Sequence, residues 1–341
     1  MTVAAPLAVA ELDEAREPAE ERGRGRDDVR LLVARSGAEF EHAHFTQLPE
    51  LLEPGDLLVI NISATLPAAV AVRGGEGDLT LNLSSPARDG EPNRWLAELR
   101  RGGERHREGR AGEVLLLPEG ATAVLLEQDA HERLWLVSLS VPGTLPAYLT
   151  RHGRPIRYGH LERAWPLERY LTVYAGEPGS AEMPSAGRAF TPELITRLIA
   201  RGVDLAPLVL HTGVSSLEIG EAPQPERFRV PPATAARVNL TRELGGRVIA
   251  VGTTVVRALE SSVAADGRVR AKEGWADLVI ETDTPLHALD GLLSGFHDSD
   301  SSHLAMLEAI AGRDLLERSY AEARDAGYLR HEFGDLHLLL R

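Results

Sequence analysis

The residue types best suited to chemistry in this chain sit at the ends of apolar runs. His211 ends the run LAPLVLH and is followed by Thr212 and Gly213. An imidazole titrates near neutrality, so at the carboxyl end of a strand it has the position and the pKa range of a general base. A structural histidine holding hydrogen bonds fits the same spacing. In RVIAVGTTVVRALESS a buried strand breaks at Gly252 into Thr253 and Thr254, and a helix with Arg257 and Glu260 follows. Free N–H groups, the positive end of the helix dipole and two hydroxyls together suit a carboxylate or a phosphate. The alternative is a threonine acting as a plain N-cap. The spacing matches neither a P-loop nor a dinucleotide GxGxxG. His297 lies in GFHDSDSSHLAML beside Asp298 and Asp300. Neither an EF-hand pattern nor HExxH surrounds it, so no metal site is expected, and helix capping by Asp300 or Ser301 is the better reading.

A fourth stretch, Arg169 to Thr191, supplies a loop rather than a single reactive group. Tyr170, Val173 and Tyr174 read as β, after which Gly176, Pro178, Gly179, Pro184 and Gly187 break the chain into a segment whose backbone N–H groups can face a ligand. Thr191 is placed to cap a helix with Pro192 in its first turn. Leu194, Ile195, Leu198 and Ile199 form its apolar stripe, and Gly202 ends it. An ordinary crossover loop has the same composition.

The elements that must position these groups follow from the rest of the chain. The 341 residues are 43% hydrophobic and 26% charged, with no apolar run of membrane-spanning length, so a globular chain of two domains or one elaborated domain is expected. No basic segment followed by an apolar core opens the chain, and a cytoplasmic protein is expected. Cysteine is absent, which excludes disulfides, thiolate metal sites and Cys nucleophiles. A formal charge of −14 opposes broad attraction to nucleic acid. Arginines still cluster locally, at Arg94, Arg100, Arg101, Arg105, Arg107 and Arg110, and again at Arg151, Arg154, Arg157, Arg163 and Arg169. Each cluster is a candidate phosphate contact unless Glu98, Glu104, Glu108, Glu162 and Glu168 neutralise it.

Residues 1–28 are rich in Ala, Glu and Arg without apolar periodicity and read as a flexible N-terminal arm. From Val29 to residue 70 strand and helix patterns alternate, with buried strands in VRLLVAR and at Leu57 to Ile62. Between residues 71 and 141 the texture changes to short β-rich runs, LTLNL, EVLLL, TAVLL and LWLVSL, with no long helix. That span predicts a small sheet or barrel inserted into an α/β domain formed by 29–70 and 142–341. Later strands are expected at LAPLVLH, RVIAV, ADLVI and the final HLLL, and helices at Thr254 to Ala264, Ser301 to Ala311 and Leu315 to Ala326.

Taken in order, these segments resemble the QueA family, the S-adenosylmethionine:tRNA ribosyltransferase-isomerases of queuosine biosynthesis. The matching pieces are PGDLLVIN with Leu66, Pro67 and Ala68; RYLTVYAGEPGS; the Pro184 to Thr191 segment; LHTG; VIAVGTTVVRALES; GW-x-D; GFH; and Y-x-x-A…FGD. The resemblance implies a mixed α/β main domain with an inserted small β-barrel. It also implies an enzyme that moves the ribosyl unit of S-adenosylmethionine onto 7-aminomethyl-7-deazaguanine in tRNA, giving epoxyqueuosine. S-adenosylmethionine is the co-substrate, with no further cofactor. Carried over residue by residue, it makes His211 and Glu226 the candidates for the base. Tyr174, Gly179, Ser180, Pro184, Gly187, Phe190, Gly213, Gly252, Thr253, Thr254, Arg257 and His297 become the candidate binding residues.

The chain also departs from the family pattern. Asn61, Ile62, Ser63 and Ala64 stand where N-D-T-R is usual, and Glu182, Met183, Arg188 and Ala189 alter the loop A-A-P-T-A-G-L-H-F. Val214 to Leu217 and Pro223 to Glu226 depart from H-x-G-x-G-T-F and M-H-x-E, and Asp300 replaces a lysine. These changes leave two other readings open: a paralogue with a small-molecule acceptor, or a non-catalytic S-adenosylmethionine-binding protein.

Overall fold

Leu57–Asn61 and Val248–Val251 are buried at every position, as strands covered by helices on both faces must be. They lie at the centre of a nine-stranded sheet in a computed structural model that describes residues 9–73, 78–129, 132–157, 159–161, 163–214, 223–298 and 302–341. The strand order is Lys272–Ala276, Glu226–Val230, Asp204–Leu210, Leu57–Asn61, Val248–Val251, Gly291–Gly295, Leu336–Leu340, Arg30–Arg35 and Glu41–His44. The third to sixth of these run parallel. Their carboxyl ends, at Leu210, Asn61, Val251 and Gly295, therefore share one edge.

Alternate residues of each strand serve opposite faces. Leu57, Val59, Leu208, Val248, Ala250 and Leu292 pack with residues of the helices Pro232–Glu243, Thr253–Glu260, Ser302–Ala311 and Arg313–Asp325. Leu58, Ile60, Ile249, Val251 and Leu293 pack instead with Phe45, Leu48, Phe190, Leu194 and Leu198, the last two from the helix Pro192–Ala200. Thr191 caps that helix, its Oγ1 accepting from Leu194 N at 3.1 Å. Gly291 is a glycine in mid-sheet for a packing reason: a Cβ there would meet Leu340 Cδ2 at 2.7 Å and Leu339 O at 2.8 Å.

A second sheet has eight strands and its own core. Its path runs Val114–Leu116, Thr122–Gln128, Trp135–Ser140, Arg94–Arg101, Leu79–Pro86, Ala69–Ala71 and Gly153–Arg154, with Glu104–Arg105 paired to Arg94–Arg101. Arg73, just past Ala71, bridges to Leu116 through its N–H at 2.7 Å, joining two distant members of the path. The core beneath this sheet gathers Leu81, Leu99, Leu125, Val137, Tyr148 and Ile156, among others. No helix among the described residues is long and apolar enough to cross a membrane.

Three expectations are corrected. Residues 9–28 are not a loose arm: Asp13–Glu14 pairs in parallel with Leu329–Arg330, and Val9, Leu12, Ala15 and Ala19 are buried. Their side chains are spread over three different clusters, Val9 and Leu12 in one, Ala19 in a second and Ala15 in a third, so no periodicity marks them. RYLTVYAG is not a strand; Leu167–Tyr170 forms a 3₁₀ turn, and strand pairing begins only at Glu177–Ser180, against Ser63–Thr65. Here Tyr170 and Tyr174 anchor a loop to two separate cores. The strand expected at ADLVI lies earlier, at Lys272–Ala276. Asp300 and Ser301, expected to cap a helix, lie outside the described residues, as does Glu162.

Candidate active site

Asn61 organises the carboxyl edge of the main sheet. Its Oδ1 accepts from Leu210 N at 3.0 Å and Ser63 N at 3.1 Å, and its Nδ2 donates to Leu210 O at 2.8 Å and Thr254 Oγ1 at 3.3 Å. One buried amide thus ties two strand ends to the start of the helix Thr253–Glu260. His211, one residue beyond Leu210, places Nδ1 2.8 Å from Ser63 Oγ, which lies 2.6 Å from Ser180 Oγ. Its Nε2 faces Glu177 Oε1 at 3.9 Å, and Glu177 is itself paired with Arg229. Burial holds the imidazole pKa below its ordinary value, with Glu177 opposing in part. Gly179 lies against the ring, so close that a Cβ there would clash with it.

Antiparallel pairing of Asp204–Leu210 with Glu226–Val230 brings Glu226 beside this group. Its Oε1 accepts from Gly213 N at 3.1 Å and its Oε2 is paired with Arg257. Arg257 also donates to Ala276 O at 2.8 Å and Gln224 O at 3.2 Å. Burial raises the Glu226 pKa, and Arg257 opposes that rise. Gly252 has φ +93°, a value that suits glycine, and it starts the helix with no side-chain cap. The threonine N-cap alternative therefore does not hold: Thr253 and Thr254 are already inside the helix. His297 follows Gly291–Gly295, with Nε2 2.9 Å from Ser294 Oγ and Nδ1 3.2 Å from His303 Nδ1. Burial and its neighbour hold the His297 pKa well below normal, and burial next to Arg257 takes His303 down to about 4.

The loop from Tyr174 to Phe190 packs over the same edge. A Cβ on Gly252 would touch Ala186 Cβ at 3.4 Å, and one on Gly187 would collide with the Tyr174 hydroxyl. Burial pushes that hydroxyl's pKa up. Ser180 is fully buried, while Pro184 is only partly so. Phe190 does not line an opening as expected: it is fully buried, edge-on to Phe45 at 5.1 Å and to Tyr174 at 5.8 Å. The edge thus gathers His211, Glu226, Gly213, Gly252, Thr253, Thr254, Arg257 and His297, with the loop's Gly179 and Ser180. Glu177 and His303 join them without having been singled out, as do Asn61 and Ser63, which the sequence marked only as a departure from the family pattern. Ser63 and His303 carried the one available signal, hydroxyl and imidazole chemistry within three residues of an expected strand end or helix start.

A queuosine biosynthesis protein family model matches residues 8–339. The chain belongs to this family. It is 37% identical over 322 residues to the S-adenosylmethionine:tRNA ribosyltransferase-isomerase of Geobacter sulfurreducens, covering 91% of this chain and 92% of that protein. The protein of the same name from Symbiobacterium thermophilum is also 37% identical, over 92% of this chain and 94% of its own. A solved structure of S-adenosylmethionine tRNA ribosyltransferase from Thermotoga maritima is 30% identical. It covers 97% of this chain and 99% of that one, with a TM-score of 0.53.

Against this family the substituted loop residues turn out to be packing residues. Arg188 is buried, with Nη2 2.6 Å from Glu20 Oε2, Nε donating to Arg169 O at 2.9 Å, and its guanidinium 4.9 Å from the Phe333 ring centroid. Met183 joins Trp165 and Tyr170 in a small core. The arginine clusters are largely ion-paired. Glu98 is approached by Arg100, Arg105 and Arg133, while Arg94 uses Asp89, Arg151 uses Glu119, and Arg163 and Arg169 use Glu21. His160, His331 and Glu332 bring ligand-type atoms within 4.8 Å of one another. The two rings are stacked at 4.2 Å and 12°, so their lone pairs lie in nearly parallel planes and do not converge on one ion.

Proposed function

We propose that the protein is an S-adenosylmethionine:tRNA ribosyltransferase-isomerase acting on 7-aminomethyl-7-deazaguanine in tRNA to give epoxyqueuosine. The observation that carries this reading is similarity along almost the whole chain, with the segments LHTG, VGTT and GFH, which resemble the family's, following strands whose carboxyl ends share one sheet edge. The sulfonium of S-adenosylmethionine acidifies its C5′ proton, so the protein needs a proton acceptor, a carboxylate anchor and a sugar-and-base pocket, and no further cofactor. In this reading Gly252 to Thr254 hold the methionine carboxylate at the helix N-terminus, and the Tyr174 to Gly187 loop covers the nucleoside. His211 and Glu226 face the proton transfer. The barrel reading belongs to the same proposal: the Arg73–Leu116 bridge supports taking residues 71–141 as the body of an inserted small β-barrel, which Gly153–Arg154 and the side chains of Tyr148 and Ile156 extend past residue 141, with residues 1–28 an N-terminal segment and the rest the α/β domain. A tRNA substrate implies a cytoplasmic enzyme.

One observation favours a second reading, transfer to a small-molecule acceptor: the net charge is −14, and most of the clustered arginines already face carboxylates. Adenine release, followed with and without tRNA carrying the precursor base, separates the readings. Release that depends on tRNA is expected. Release without tRNA supports the small-molecule paralogue, and calorimetric binding of S-adenosylmethionine with no adenine supports a non-catalytic protein. If the joint replacement His211→Gln with Glu226→Gln leaves turnover unchanged, the proton-transfer assignment fails.

A further inference from the structure

Two buried hydroxyls stand behind His211, and together they dictate where its proton sits. Ser180 and Ser63 are 0% and 1% exposed, so their hydroxyl protons have no solvent to turn to. The Thr212 N–H can only donate, and it donates to Ser180 Oγ at 3.1 Å. The other polar partner of Ser180 Oγ is Ser63 Oγ at 2.6 Å, so the Ser180 proton points there. Ser63 Oγ then accepts from Ser180, and among the described residues its own proton has one remaining acceptor, His211 Nδ1 at 2.8 Å.

We infer that this one-way chain, from Thr212 N–H through Ser180 and Ser63, locks His211 as the Nε2–H tautomer and presents it to the pocket as a neutral hydrogen-bond donor. In the opposite tautomer Nδ1–H donates to Ser63 Oγ, and one of the two buried hydroxyl protons, that of Ser63 or that of Ser180, is left with no acceptor among the described residues. A lost buried hydrogen bond of that kind biases the ratio by about tenfold or more. An imidazolium would carry a proton on Nδ1 as well, so the chain resists protonation for the same reason. Gly179, packed against the ring, keeps the imidazole from turning away.

The consequence rests on the proposed reading of the pocket. With Nδ1 occupied by Ser63 and Nε2 already protonated, His211 is not the acceptor of the C5′ proton. That proton passes to a Glu226 carboxylate oxygen, its electron pair staying on the carbon beside the sulfonium. His211 instead donates to an uncharged nitrogen or oxygen of the nucleoside, and Ser63 and Ser180 are its positioning residues.

The test reads the tautomer directly, by long-range ¹H–¹⁵N correlation on the full-length, unliganded protein with ¹⁵N-labelled histidine. The His211 signal is identified by its loss in His211→Gln. Above neutral pH the expected pattern has a bonded proton on Nε2 and a bare Nδ1. Ser63→Thr keeps this pattern, whereas Ser63→Ala and Ser180→Ala each bring in the second tautomer. A wild-type spectrum with the proton on Nδ1 overturns the inference without need of any variant. So does an unchanged tautomer in both alanine variants. Because no turnover is measured, a failure of the ribosyltransferase reading would leave this result standing, and the reverse also holds.

Discussion

Gly179 shows how tightly a single position constrains the site, because the imidazole of His211 fills the space a side chain would need. Gly179→Ala is expected to push that ring out of line while leaving the surrounding cores intact. A displacement near 1 Å at a reacting centre costs roughly 10²-fold in rate. Adenine release should fall by about that factor, with the thermal midpoint moving by only a few degrees; a fall in activity under threefold would show that the ring has room to spare. Glu226 and Arg257 behave differently. They form a pair largely shielded from solvent, its side chains 15% and 8% exposed, so loss of either leaves an uncompensated charge, and unfolding accompanies any loss of activity. Gly179 is therefore the cleaner probe of chemistry.

At the scale of elements, the N-terminal segment and the 174–190 loop form one unit through Glu20 and Arg188. Their ion pair is nearly closed to solvent, with side chains 16% and 4% exposed. The strong cation beside it offsets burial and holds the Glu20 pKa below its ordinary value. Glu20→Ala strands a buried guanidinium and is expected to destabilise the fold by about 3 kcal/mol, the scale for breaking a buried pair. Arg188→Leu combined with Glu20→Ala should recover most of that loss, and chemical denaturation of the four proteins in the cycle measures the coupling.

This pairing was not legible in the sequence. Ala, Glu and Arg without periodicity describe a disordered arm equally well, and nothing local says that Glu20 meets a residue 168 positions away. Apolar runs such as LLVIN and RVIAV were legible, because strands buried on both faces have no polar alternative. The strand Gly291–Gly295 was not, since its glycines serve close packing and hide the β signal. For the site, His211 and Gly252 to Thr254 announced themselves by sitting where strands end. His303 did not, and Asn61 and Ser63 stood out only as departures from the family pattern, because their roles depend on partners brought in by folding.

The whole molecule carries a pH dependence set by histidines it keeps neutral. His297, His303 and His337 are all shifted down by burial, His303 to about 4 and His337 to about 3. Among the described residues neither ring nitrogen of His337 has a hydrogen-bond partner, and its ring stacks on Phe296 at 5.0 Å. A folded-state pKa below the unfolded value means that the unfolded chain takes up protons first as pH falls. The stability is thus fully present above about pH 6.5 and is lost progressively below it, by about 1.4 kcal/mol per pH unit for each group, until the folded-state values are reached. Melting temperature should drop between pH 7 and pH 5, before ordinary carboxylates titrate. His337→Phe removes one contributor along with two unpaired buried nitrogens, so it should raise stability at pH 7 and flatten the slope. An unchanged slope would place the acid sensitivity elsewhere.

The order of strands in the main sheet also has a consequence in time. Among the described residues Arg30–Arg35 and Glu41–His44 join the sheet only through Leu336–Leu340, and the Arg30–Asp335 pair that fastens this junction spans 305 positions. A ribosome adding about 5–20 residues per second needs roughly 15–60 s to cover that distance. Throughout that interval the early hairpin is exposed, its apolar face and unpaired edge open to whatever it meets. The nascent chain therefore has its greatest need of a holding chaperone at its beginning, and the sheet closes as a late event, when the distant partner strand emerges.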